Sequence, residues 1–259
     1  MDGLNRFDGM DFTIFKRSST DPLSLSDNFI LSLYEDSKGI IWVGTQNGGL
    51  NRFDPRNEKF TGFIHKSDDP GSLAHNKVWA ITEDSEGNIW AGTESGLSVY
   101  HAETGVFRNY FHDPYNPASI SNNTVQSLLT DKQGSVWIGT KHGGLNRLDP
   151  HSDRFHRYTP DPSNPHSIST DWVFRIFEDR KGQIWIGSFA GLDKFDRQTG
   201  QFIHYQFKEN PMLEELILSI GEDSKGVMYL GSGAVGVWEF DPKTGNSQSH
   251  SYDQNNALS

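Results

Sequence analysis

Apolar residues fall in short runs along this chain, each closed by Gly, Pro, Asp or Asn. The stretch after Asn123 is representative. TVQSLLTD (124–131) gives way to a KQG turn, SVWIGT (135–140) to KHG, and GLNRLD (144–149) to PHSD. RFHRY (154–158) then leads into the long connection TPDPSNPHSIST. Runs of this length, rich in β-branched and aromatic residues and bounded by turn formers, predict strands joined by hairpins. No segment keeps a 3.6-residue apolar period over three turns. ENPMLEELILSI (209–220) comes nearest, with Leu213, Leu216 and Ile217 at helical spacing after a Pro. Its LILSIGED aligns with TVQSLLTD, so a strand is expected there instead.

The four-run unit repeats. GIIWVGT (39–45), GNIWAGT (87–93), GSVWIGT (134–140), GQIWIGS (182–188) and GVMYLGS (226–232) align on one aromatic column. Its members are Trp42, Trp90, Trp137, Trp185 and Tyr229, 44 to 48 residues apart. Four antiparallel strands at that interval form the blade of a β-propeller, so an all-β propeller of four-stranded antiparallel blades is predicted. Full blades are expected at about 28–63, 76–110, 123–158, 171–205 and 215–252, in a single domain over 1–259. A half-blade at 1–15 precedes them, because GLNRFD (3–8) copies a third strand, and a connector begins at 253–259.

The repeated columns have local reasons. Gly39 and its equivalents close the first hairpin with positive φ. Asp36, Asp84, Asp131, Asp179 and Asp223 stand three residues earlier, placed for a side-chain bond across that turn. The Trp column next to small Gly44-type positions predicts rings and hollows that interdigitate between blades. Repeated in every unit, these Trp residues read as packing, and one carboxylate per turn is too few for calcium.

Composition narrows the function. The net charge is −11 over 259 residues, from 34 acidic and 23 basic residues, and no basic run offsets it. Phosphate backbones and anionic lipid surfaces are therefore disfavoured as partners. The chain has no Cys, which excludes disulfides, thiolate metal sites and Cys nucleophiles. No apolar stretch reaches membrane-spanning length, so no direct membrane insertion is expected. No cofactor motif is present.

The VxxIxED-like strand (Val78, Ile81, Glu83, Asp84), the GxIWxGT strand, the GLxxF/YD strand and connectors such as DPLSLS (21–26), DPGSLA (69–74) and NPASIS (116–121) resemble the two-component-regulator propeller repeat. The resemblance covers essentially the whole chain. It implies a seven-bladed propeller of which this chain is a fragment, cut at both ends. It further implies the periplasmic, ligand-sensing part of a membrane-anchored bacterial receptor, whose output is a histidine kinase, often hybrid, or a diguanylate cyclase. Glycans or their breakdown products are the implied ligands, and a neighbouring propeller or β-sandwich domain the implied partner.

In a propeller, connectors and second-to-third-strand loops gather on one face, over the axis, and residues that break their column there are the binding candidates. Trp79, Trp172, Phe174 and Arg175 do so near the start of the inner strands, Arg175 where other units carry Ser32, Ala80, Ser127 and Ser219. Asn47, Lys141, His142 and Phe189 are the candidates in the loops. Rings beside a guanidinium suit a sugar face with a carboxylate or hydroxyls. The alternative is that Trp79 and Trp172 fill gaps while Arg175 pairs with an acid. No unrepeated carboxylate pair suits glycoside hydrolysis, and His142 shows no acid partner in the sequence, so catalysis is not expected. A protein-interaction or dimerisation scaffold is the remaining class; it predicts column-breakers on the outer strands, at Tyr100, Tyr110, His156 and Tyr205.

Overall fold

The computed structural model describes residues 3–149, 153–205, 207, 216–233 and 236–250. Among them are 22 strands in one two-stranded and five four-stranded antiparallel sheets. β1 (Leu4–Phe7) and β2 (Phe12–Phe15) form the half-blade. Blade I is β3 (Ile30–Glu35), β4 (Ile41–Thr45), β5 (Leu50–Asp54) and β6 (Lys59–Phe63). Blade II is β7 (Val78–Glu83), β8 (Ile89–Thr93), β9 (Gly96–His101) and β10 (Val106–Tyr110). Blade III is β11 (Val125–Thr130), β12 (Val136–Thr140), β13 (Leu145–Leu148) and β14 (Phe155–Tyr158). Blade IV is β15 (Val173–Glu178), β16 (Ile184–Ser188), β17 (Gly191–Asp196) and β18 (Gln201–Tyr205). Blade V is β19 (Ile217–Glu222), β20 (Met228–Ser232), β21 (Gly236–Phe240) and β22 (Ser247–His250). Strand order within each sheet follows the chain, and the inner strands β3, β7, β11, β15 and β19 adjoin one another in turn. Ile217–Glu222 is a strand, as the alignment predicts, whereas 208–215, 251–252 and the connector at 253–259 lie outside the described residues.

The first hairpin explains two columns together. Gly39, Gly87, Gly134, Gly182 and Gly226 all have φ between 73° and 85°. Asp36 Oδ1 accepts the amides of Lys38 and Ile40, each at 2.9 Å, and its Oδ2 accepts Trp42 Nε1 at 2.8 Å. The indole bond recurs at Trp90–Asp84 (2.8 Å), Trp137–Asp131 (2.7 Å) and Trp185–Asp179 (3.0 Å). One carboxylate thus closes the turn and orients the ring. The ring stacks in turn on the last aromatic of the outer strand, as Trp90 does on Tyr110 at 6.0 Å and 8°.

The small hollows lie between blades. A Cβ at Gly139 would stand 2.6 Å from Val173 Cγ1, and one at Gly92 would stand 2.6 Å from Val125 Cγ1. Each of these glycines admits the β-branched residue that opens the next inner strand. Backbone latches add to the seam: Gly49, Gly96 and Gly144 donate to the carbonyls of Asn76, Asn123 and Asp171 at 2.7–2.8 Å. Gly3 donates likewise to Asn28 O at 3.2 Å, so β1 holds the position of a third strand.

Two features depart from the simple alignment. Phe29, Lys77, Thr124, Trp172 and Leu216 precede their inner strands rather than starting them. Each inner strand also carries a β-bulge one residue further in, between Ile30 and Ser32, Val78 and Ala80, Val125 and Ser127, Val173 and Arg175, and Ile217 and Ser219. The bulge explains an odd spacing. Val173 and Ile176, three apart, both enter the core cluster around Trp137, which a regular two-residue alternation forbids. Val125 with Leu128, Val78 with Ile81, and Ile217 with Ile220 do the same. Of the two residues between each pair, Ser127 in blade III stays buried and Ala80 in blade II packs on the core, whereas in blade IV Phe174 is half-buried and Arg175 exposed.

Candidate functional site

The mouth of the array is built from connectors and second-to-third-strand loops. Each connector is pinned by a buried apolar residue: Leu25, Leu73, Ile120 or Ile168. It is also pinned by a serine hydroxyl that accepts a backbone amide, as Ser119 Oγ does from Asp113 at 2.8 Å. The loops are tied down as well, since Thr45, Thr93, Thr140 and Ser188 donate their hydroxyls to the glycine carbonyls that follow. The mouth is therefore a rigid frame on which the variable side chains stand.

At the seam of blades III and IV that frame gathers five of the eight sequence candidates around Trp172. Its ring stacks on Phe189 at 5.7 Å and 9°, and meets Phe174 at 5.1 Å. His142 stands 5.1 Å away, and Lys141 Nζ lies 4.7 Å from the ring centre. The backbone explains the first pairing, because Trp172 O accepts the Phe189 amide at 3.3 Å. Phe189 is 53% exposed, so the group offers a ring to solvent. Arg175, further along β15, is also exposed and has no side-chain partner among the described residues. Crowding by the surrounding protein pulls its pKa below the usual arginine value. The acid pairing considered for it is not found among those residues.

Two further residues complete the group and were not singled out from the sequence. Gln126 Oε1 accepts a hydrogen bond from Trp172 Nε1 across the blade seam. Asp171 Oδ1 lies 3.7 Å from His142 Nδ1, giving His142 an acid neighbour after all. Both had a sequence signal. Gln126 is the polar member of the column Leu31, Trp79, Gln126, Phe174, Leu218. Asp171 replaces Asn28, Asn76 and Asn123, whose side chains accept the amides of Arg17, His65 and His112 at 2.6–2.7 Å. The matching residue before Asp171 is Pro160, which has no amide hydrogen. With nothing to clamp there, the carboxylate is free to face His142. His142 itself has φ 63°, a left-handed conformation uncommon outside glycine, shared among the described residues with Glu58 in an outer hairpin turn.

The other two candidates lie elsewhere on the mouth. Trp79 is closed within blade II: Lys77 Nζ covers its ring at 4.2 Å, its Nε1 donates to Glu94 Oε2 at 2.8 Å, and Lys77 pairs with Glu94 at 3.3 Å. Hydrogen bonds from Trp79 and Lys77 hold Glu94 below the usual carboxylate range against the desolvation that opposes it. Asn47 lines a shallow hollow with Arg17, Ser26, Asp27 and Asn76, and its amide donates to Asp27 Oδ2 at 2.8 Å. No contact joins either to the Trp172 group. Among the described residues, no three His, Asp or Glu side chains are grouped to hold a metal ion.

Four segments, residues 24–47, 72–95, 119–142 and 167–190, match the family model described as two component regulator propeller. Each runs from a connector through an inner strand to the following loop, and together they contain all eight candidates. The chain is a β-propeller, and four of its segments carry the two component regulator propeller repeat. No curated protein matches it. Among solved structures it is similar to the extracellular domain of a protein described as a hybrid two component system from B. thetaiotaomicron, with a TM-score of 0.81 and 25% identity over 98% of this chain. This chain spans only 33% of that one. Virginiamycin B lyase from Staphylococcus aureus shares the fold at a TM-score of 0.67 and 13% identity, over 91% of this chain and 74% of the lyase.

Proposed function

We propose that this chain is the ligand-binding part of an extracytoplasmic bacterial receptor, periplasmic in location, and that it senses rather than catalyses. A saccharide or other small polar ligand binds the mouth at the seam of blades III and IV. The observation that carries this reading is the Trp172 group: three aromatic rings, a lysine, an imidazole, a carboxylate and an amide converge on one seam. Stacked rings bind the apolar face of a sugar while the polar side chains orient its hydroxyls. The similarity to the extracellular domain of a hybrid two component system supports the receptor setting. The likeness to the lyase is one of fold alone. Because the ligand bridges residues of two blades, binding favours one packing of the seam and shifts the population seen by a neighbouring propeller, β-sandwich domain or second copy.

The scaffold reading has less behind it. Tyr100, which lies on the third strand β9 and not on an outer one, packs on Trp42, while Tyr110 packs on Trp90 and Tyr205 on Trp185, so three of its four residues are committed to the core. Titration of a neutral and acidic saccharide panel, followed by calorimetry, tests the proposal. Binding that is lost in Trp172→Ala and kept in Trp79→Ala supports it. Binding unchanged in Trp172→Ala moves the site elsewhere.

A further inference from the structure

The cleft between blades III and IV is plugged by an arginine that no other unit carries at that position. Arg197 follows β17, at the end of the blades opposite the mouth. Its Nη2 donates to Asp131 Oδ2 at 2.9 Å, its Nη1 to Gln133 Oε1 at 3.0 Å and its Nε to Gly182 O at 3.0 Å. Its Cζ lies 6.0 Å from the centre of the Trp137 ring. A carboxylate, an amide, a carbonyl and an indole thus receive one guanidinium, and Asp131 is buried beneath it.

The repeat builds the same cleft one seam earlier without the plug. Asp84, Glu86, Gly134 and Trp90 align with Asp131, Gln133, Gly182 and Trp137, and they line a cavity of about 260 Å³ between blades II and III. Asp84 Oδ2 accepts the Trp90 indole at 2.8 Å, as Asp131 Oδ2 accepts that of Trp137 at 2.7 Å, so the receiving carboxylate is held in the same way. The residue aligned with Arg197 is Pro150, which carries no cation, and Glu86 puts an acid where the plugged cleft has neutral Gln133. His101, Arg108, Asp149 and Asp153 also line the cavity. Arg108 pairs with Asp153 at 3.1 Å, and Arg147 with Asp149 at 2.8 Å. Among the described residues Asp84 and Glu86 meet only neutral donors, from Trp90, Asn88 and backbone amides. At the seam of blades I and II, Ala102 stands in the arginine position, but Lys38 replaces the acid and gives that cleft a cation of its own.

We infer that the cleft between blades II and III receives an arginine side chain of a protein partner, whose guanidinium takes the position that Arg197 fills at the next seam. The cleft admits one side chain, and a chain of net charge −11 favours encounter with a basic partner. This surface lies at the far end of the blades from the Trp172 group, so the inference stands independently of the ligand site proposed above.

The test is titration of the native chain with N-acetyl-arginine methylamide, which presents arginine as a polypeptide does, followed by NMR at the Trp90 indole. The citrulline analogue, similar in shape and uncharged, is the control. The expected result is a saturable shift of Trp90 with the arginine probe alone, about tenfold weaker in Glu86→Gln and abolished in Glu86→Lys, which brings its own cation to the cleft. Glu86 is exposed, and circular dichroism confirms that both variants fold. The same probe is expected to shift Trp137 once Arg197→Ala opens the neighbouring cleft. Equal shifts with the citrulline analogue, or binding kept in Glu86→Lys, overturn the inference. A probe that enters the cleft opened by Arg197→Ala and leaves Trp90 unmoved at tens of millimolar overturns it too. Free arginine binding about tenfold tighter than the blocked form would assign the cleft to a small molecule and overturn the protein partner.

Discussion

At the residue scale, one carboxylate in each of blades I to IV does two jobs, and only one of them was legible. The Asp-to-Gly spacing predicts the turn bond. That the same Asp holds the Trp indole six residues on follows from the hairpin's three-dimensional return, which spacing does not display. Two substitutions separate the terms. Trp137→Ala removes a fully buried ring and is expected to cost about 3–5 kcal/mol. Trp137→Phe keeps most of the packing and loses the indole bond. Asp131 Oδ2 retains Arg197 Nη2 at 2.9 Å, so the cost falls to about 1 kcal/mol. Urea unfolding of the two variants measures the difference. A second residue-scale case is His204, whose Nδ1 faces buried Asp193 Oδ1 at 2.6 Å and whose Nε2 faces Pro165 O at 3.0 Å. Both ring nitrogens meet acceptors, so the charged form fits best; the hydrogen bond to Asp193 raises the pKa above 6.5. A raised histidine contributes stability that is complete below its unfolded value and is lost as pH climbs through the folded one. Unfolding midpoints are therefore expected to fall as pH rises above about 6.5, and His204→Asn to flatten that slope.

At the scale of elements, His204 belongs to a recurring device. The third and fourth strands place a cross-strand pair against the connector that leads into the same blade: Ser98 with Asn109, Asn146 with Arg157, Asp193 with His204. Asn109 donates to Ser72 O at 2.9 Å. Arg157 reaches furthest, donating to the carbonyls of Asn116 (2.9 Å), Ser119 (2.8 Å) and Ile120 (3.1 Å). Arg157→Ala leaves three carbonyls without that donor. It is expected to cost about 1–3 kcal/mol and to speed amide exchange over 111–123 while the strands stay protected. Hydrogen exchange resolved by segment checks both halves of that statement. The connectors and the blade order could be read from the repeat. The bulges left one trace, the three-residue spacing of apolar pairs such as Val78 and Ile81, which the alignment treats as an ordinary strand. Hence Phe174 and Arg175 were recognised as column-breakers, but not as the pair a bulge places between two core residues. Asp171 was hidden for a different reason: its release depends on Pro160, eleven positions earlier and on the other side of the latch.

At the scale of the molecule, blades stack in sequence and each is stabilised by its neighbours. One column reads out that dependence. Leu33, Ile81, Leu128, Ile176 and Ile220 are equivalent residues of the inner strands. Ile176 is 2% exposed, and Ile81, Leu128 and Ile220 are buried too, because a preceding sheet covers each. Leu33 is 55% exposed. Before it lies the half-blade, whose Leu4 and Phe15 pack on Val43, Phe53 and Phe60. The cover therefore lies over the second to fourth strands of blade I and stops short of the inner one. The same chemical change should thus have different consequences along one column. Ile176→Ala opens a closed seam and is expected to cost about 2–5 kcal/mol, whereas Leu33→Ala removes a largely solvated side chain and stays within about 1 kcal/mol. Differential scanning calorimetry of both variants measures the contrast. Equal losses would mean that Leu33 is covered in solution, by a second copy or by further chain. Repeating Leu33→Ala over a tenfold range of protein concentration separates those two, since only association makes the melting temperature depend on concentration.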